Sequence, residues 1–183
     1  MIKIRKALVK PYLWTVVNPN AHRYRSPMRN DDIIQSIRYM LDIDDIEIAH
    51  ILKLRGYKPK RGEVAAIFES QDLPDDEKGP DCGELLMAHF LDGLIYYKRG
   101  KSKDHPPRPI KVPVTNNMVL KKLRVAFKLR EKDMHKVLEL GGFSISKPEM
   151  SALFRREGHK NYRECGDQIL RYFLKGLTVK LRN

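Results

Sequence analysis

The sequence contains itself twice, and that repeat limits what the chain can fold into. A shift of 86 positions aligns Asn30 with Asn116, Arg38 with Arg124, Leu52 with Leu138, Gly56 with Gly142, Glu63 with Glu149 and Phe68 with Phe154. Apolar positions follow the same shift, as in Ile37/Leu123, Ile48/Met134, Ile51/Val137, Val64/Met150 and Ile67/Leu153. After a loop shorter by three residues, a shift of 83 pairs Cys82 with Cys165, Gly83 with Gly166, Phe90 with Phe173, Gly93 with Gly176 and Leu94 with Leu177. Two copies of a unit of about seventy residues must therefore bury equivalent positions.

Helical spacing runs through both copies. Val119, Leu120, Leu123, Ala126 and Phe127 share one face of a helix that Asn116 is expected to cap. Met134, Val137 and Leu138 mark a second helix, closed by Gly141-Gly142. Ser146-Lys147-Pro148-Glu149 reads as a capping box opening a short third helix, with proline in its first turn. Ile169, Leu170, Phe173, Leu174 and Leu177 lie on the fourth and longest. No segment alternates with the period of a strand. The expected fold is all-α: two tandem four-helix repeats, residues 30–101 and 116–183, joined by a Pro-rich linker at 102–115. Residues 1–29 form a basic extension with no counterpart in the repeat. They read either as an arm or as sequence upstream of a start at Met28.

Charge divides the chain more sharply than its net +13 suggests. Residues 1–29 carry +7, residues 30–101 carry −5 and residues 102–183 carry +11. A chain that is 42% hydrophobic and 32% charged folds, and no apolar run nears the roughly twenty residues of a membrane span. Cys82 and Cys165 are too far apart for a CxxC motif, and the histidines form no ligand spacing, so no metal site is expected.

The runs NNMVLKKLRVAFKL (116–129) and HKNYRECGDQILRYFLKGL (159–177) resemble the YehS-like bacterial family of domains of unknown function. NDDIIQSIRYML (30–41) and FLDGLIYYKRGK (90–101) resemble it too, so the likeness spans residues 28–183. The resemblance implies a small cytoplasmic bacterial protein with two copies of the domain. It brings no known activity, substrate or catalytic residue.

No phosphate loop, HExxH, GxSxG, EF-hand loop or strand-led GxGxxG is present, so no catalytic residue or cofactor is assigned. Cys82 and Cys165 occur at one site in both copies, as do Gly93 and Gly176, and features shared by duplicates serve the shared fold. The cysteines are expected to pack, and the glycines to admit a second helix.

Function is sought where the copies differ. Glu69, Ser70, Asp76, Glu77 and Pro80 correspond to Arg155, Arg156, His159, Lys160 and Arg163. The loop before the last helix is thus acidic in the first copy and basic in the second. Cations at a helix N-terminus oppose its dipole unless an anion binds there with the backbone N–H groups. Lys121 and Lys122 replace Gln35 and Ser36 and extend the positive surface, and Tyr162 is placed to stack on a base. These eight residues of the second repeat point to an accessory protein that binds RNA or DNA phosphates. The alternative is an adaptor in which an acidic first repeat meets a basic second repeat of another molecule, or a separate charged partner.

Overall fold

The computed structural model describes residues 27–182, apart from 70–72, 75–76 and 103–105. The first repeat supplies α1 (Asn30–Leu41), α2 (Asp45–Leu54), α3 (Glu63–Glu69) and α4 (Glu84–Arg99). The second supplies α5 (Asn116–Ala126), α6 (Glu131–Gly141), α7 (Lys147–Leu153) and α8 (Asp167–Arg182). Among the described residues there is no strand, and no helix is long and apolar enough to cross a membrane.

Local chemistry sets the helix ends. Ser146 and Glu149 close the capping box of α7. Gly142, at φ 94°, stops α6 in the left-handed conformation that suits glycine. The cap of α5 differs from expectation by one residue: Thr115 accepts the Met118 N–H at 3.3 Å. Asn116 does something else. Its amide donates to the Cys165 carbonyl at 3.0 Å, as Asn30 donates to Cys82 at 3.3 Å. The paired asparagines tie the first helix of each repeat to the loop entering the last.

That last helix organises each repeat. α4 packs on α2, and α8 on α6. A Cβ on Gly93 would lie 2.0 Å from the Ile51 carbonyl oxygen, and one on Gly176 only 1.7 Å from that of Val137. Because Ile51 and Val137 are themselves equivalent, both copies use glycine to bring two helix backbones together. Phe90 and Phe173 are fully buried beside these crossings.

The repeats also share an interface. α4 lies on α5 of the second repeat, and α8 lies on α1 of the first. The crossings are equivalent to each other. Arg99 at the end of α4 donates to the Val125 carbonyl at 3.3 Å, and Arg182 at the end of α8 donates to Tyr39. The first crossing holds a buried carboxylate, Asp92, which pairs with Arg55, just after α2, and with Lys122 of α5.

Residues 1–26 lie outside the described residues, as do Ser70 and Asp76 of the charge comparison. The described residues begin at Pro27. The Met28 N–H donates to Asp167 at 2.9 Å, and the Arg29 guanidinium donates to the Gly79 carbonyl at 2.8 Å.

Candidate anion-binding groove

A shallow hollow of about 600 Å³ opens between α5, the turn after it and the end of α7. Its floor is Phe154, Leu129 and Val125, and its rim carries Arg99, Lys121, Arg124 and Lys128. A smaller hollow that shares Arg124 and Phe154 adds Arg155 and Glu131.

What orients the cations matters more than their number. Lys121 Nζ donates to the Arg155 carbonyl at 3.1 Å, Arg124 Nε to Leu129 at 3.3 Å, and Arg99 to Val125. The Arg124 guanidinium also lies over the Phe154 ring, 4.9 Å from its centre. Neutral carbonyls and a ring therefore fix these side chains without cancelling their charge.

The first repeat brings equivalent residues together and neutralises them. Arg38 lies over Phe68 at 4.3 Å but also pairs with Asp45 at 3.0 Å. Arg182 lies over Tyr39 and approaches Asp42 at 3.9 Å. Asp42 is the equivalent of Lys128, and both occupy the left-handed region, at φ 55° and 54°. Gln35 and Glu69 stand where Lys121 and Arg155 do. Five cations with one acid thus become two cations with three acids on an equivalent frame.

The eight residues singled out from sequence divide between several places. Lys121 and Arg155 line the hollows. Arg156, His159 and Lys160 are exposed on the turn that follows α7. Lys122 does not line the groove, because its ammonium is bound to Asp92 at the repeat interface. Arg163 pairs with Glu149. The Tyr162 hydroxyl donates to Asn117 at 3.1 Å, which fixes the half-buried ring against its own repeat.

The loop does not crown the last helix as its charges suggested. α8 starts only at Asp167, while the loop folds back over α7 through the Arg163 N–H to the Ala152 carbonyl, 3.2 Å. The groove is lined from α5, the turn after it, Arg99 and the residues just after α7, not from the first turn of α8.

Arg99, Arg124 and Lys128 were not selected from sequence. The contrast of Lys128 with Asp42 is legible in the sequence as one more charge reversal between the copies. Arg124 matches Arg38, so a search for differences passes over it, and Arg99 arrives from the other repeat, which only the fold reveals.

The two cysteines sit in one arrangement, Cys165 buried and Cys82 half-buried. The Cys165 N–H donates to the Asn117 side chain at 2.9 Å, and the Cys82 N–H to the equivalent Asp31 at 3.0 Å. Burial pushes the Cys165 thiol up to about 12, and burial with nearby Asp31 pushes Cys82 up as well. Both thiols are therefore poor nucleophiles at neutral pH. Asp31, Asp81 and Cys82 also come close enough together to suggest a cation site. The carboxylates are engaged, however: Asp31 takes Arg29 at 3.1 Å, and Asp81 takes the Asn30 and Asp31 N–H groups at 2.8 and 2.9 Å. Burial raises Asp31, and neighbouring Asp81 adds to the rise. The cluster acts as the cap of α1.

Two equivalent four-helix units match what comparison with known proteins finds. The family described as "Protein of unknown function (DUF1456)" matches residues 30–100 and again residues 116–183. The chain belongs to the DUF1456 family. It is also similar to the uncharacterized protein YehS of Escherichia coli (strain K12), 39% identical over 153 residues. That alignment covers 84% of this chain and 96% of the relative. No solved structure matches. In this DUF1456 chain the two copies of the domain share one frame and differ in the charge it carries.

Proposed function

We propose that the protein is a cytoplasmic nucleic-acid-associated accessory protein that holds phosphate groups in the groove of its second repeat. One observation carries this reading: the first repeat sets Asp42, Asp45 and Glu69 beside Arg38 and Arg182, whereas the equivalent positions of the second hold Lys128, Glu131 and Arg155 and leave the groove strongly cationic. Cations already oriented by carbonyl oxygens lose little further freedom when an anion arrives, so attraction converts efficiently into binding. With Phe154 covered by Arg124 and the Tyr162 hydroxyl bonded to Asn117, the groove offers charge more than a platform for bases. Binding of this kind is insensitive to sequence and strongly dependent on salt. The two free thiols suit the reducing cytoplasm.

Fluorescence anisotropy with a labelled single-stranded oligonucleotide, repeated across salt concentrations, tests the reading. The expected result is a log–log slope of affinity against salt of about −3 or steeper, from four or five phosphate contacts at roughly 0.7 each. Absence of binding at low salt, together with salt-sensitive self-association, would replace it with the adaptor in which first and second repeats of different molecules meet.

A further inference from the structure

We propose that Arg155 and His159 form a seat for one tetrahedral oxyanion at the edge of the groove. The macromolecular side of this inference, a backbone phosphate as the natural occupant, rests on the groove reading above. The evidence lies in the hydrogen bonding of one ring. The Asn161 N–H points at His159 Nδ1 from 3.1 Å, while Arg155 Nη1 lies 3.2 Å from Nε2. A neutral imidazole has one acceptor nitrogen, so it can satisfy only one of these donors. A doubly protonated ring satisfies neither.

The backbone donor holds its place. Asn161 sits in a turn closed by the His159 N–H to the Arg156 carbonyl at 3.0 Å, and by the Tyr162 N–H to the His159 carbonyl at 2.7 Å. Nδ1 is therefore the acceptor, and the proton resides on Nε2. Nε2–H then faces the Arg155 guanidinium, donor against donor. The exposed Arg155 side chain is free to shift, and an oxyanion oxygen set beside the pair would accept from both. A charge-assisted contact then replaces an unfavourable one.

The surroundings support an anion. Lys121 holds the Arg155 carbonyl from α5, and Arg156 and Lys160 flank the turn. Of the nearby acids, Glu149 is engaged by Arg163, Glu157 and Glu164 lie on the loop, and Glu131 shares the smaller hollow with Arg155; Arg156 and Lys160 offset them on the loop itself. In the first repeat the same two positions are Glu69 and Asp76, so the duplicate cannot form this seat.

Sulfate is a suitable probe because it does not titrate near neutral pH. In the full chain with ¹⁵N-labelled histidine, the NMR spectrum should report His159 as the Nε2–H tautomer. Its Nε2 signal should move saturably with sulfate, while that of His50 stays still. Arg155→Gln and His159→Ala, both at exposed positions, should each weaken sulfate binding about fivefold or more. An Nδ1–H tautomer, or a sulfate response no larger than that of His50, overturns the seat. Oligonucleotide binding separates the two ideas. If His159→Ala binds an oligonucleotide as tightly as the unmodified chain, the seat falls and the groove reading stands. If sulfate titrates His159 but no oligonucleotide binds, the groove reading falls and the seat stands as a site for small oxyanions.

Discussion

Gly176 shows how far one hydrogen atom matters at the residue scale. Its missing Cβ would stand 1.7 Å from a carbonyl oxygen of α6, a distance that only movement of a backbone can relieve. Gly176→Ala should cost about 3 kcal/mol in urea unfolding, and Gly93→Ala a similar amount. A loss below about 1 kcal/mol would mean that the helices separate easily. The sequence carried this information, because glycine inside a long helix at one site of both copies has few other uses. Cys165 was equally legible as a packed thiol. With the thiol pushed up to about 12, thiolate is scarce at pH 7 to 8 and grows tenfold per unit of rising pH. Alkylation of Cys165 in the folded protein should thus be far slower than that of a free thiol and become fast on unfolding. Rapid modification of the native protein would contradict the burial. The division of labour between Lys121 and Lys122 was not legible. Adjacent lysines on a helix point about 100° apart, and only the packing of α4 on α5 decides which reaches the groove and which reaches Asp92.

Among the elements, α7 is short and depends on its cap. Glu149 is held down to about 2, first by the Ser146 hydroxyl, then by the Ser146 N–H and by Arg163. A carboxylate depressed in the folded state stabilises above its unfolded value, near 4.5, and that stabilisation is lost as pH falls through the folded value. The stability difference between the unmodified protein and Glu149→Gln should be constant above about pH 5, shrink below 4.5 and vanish near pH 2. A difference that persisted at pH 2 would assign the effect to something other than this ionisation. The capping box itself was plain in Ser146-Lys147-Pro148-Glu149, because every component is local. The start of α8 was harder to read. A loop that folds back over α7 is held by long-range bonds, such as the Asn117 amide to the Leu153 and Arg163 carbonyls at 2.8 and 2.9 Å, which no spacing announces.

The whole molecule is joined by two reciprocal crossings, α4 on α5 and α8 on α1. Separated repeats would each expose a face of their longest helix, so fragments 30–101 and 116–183 should show weakened, broad unfolding, while the full chain unfolds in one cooperative transition. Two well-resolved transitions in the full chain would contradict this. Breaking the first crossing at Asp92 should be costly, since Asp92→Ala leaves Arg55 and Lys122 without their carboxylate in a largely buried site. About 3 kcal/mol is expected from chemical denaturation. The duplication was visible in the sequence, but the exchange of contacts between copies was not, and the groove needs that exchange because Arg99 crosses from the first repeat. On the proposed reading, the groove of the second repeat works because it lacks Asp42 and Glu69 of the first. Replacing its residues by their first-repeat equivalents, Lys121→Gln, Lys128→Asp and Arg155→Glu, tests this on a frame that already tolerates them. In oligonucleotide titrations over a range of salt, the triple variant should bind weakly, with the log–log slope flattened by about 2 or more, while Lys53→Gln, Lys58→Gln and Lys98→Gln together change it little. Equal slopes for the two variants, or an unchanged slope after the exchange, would contradict the account.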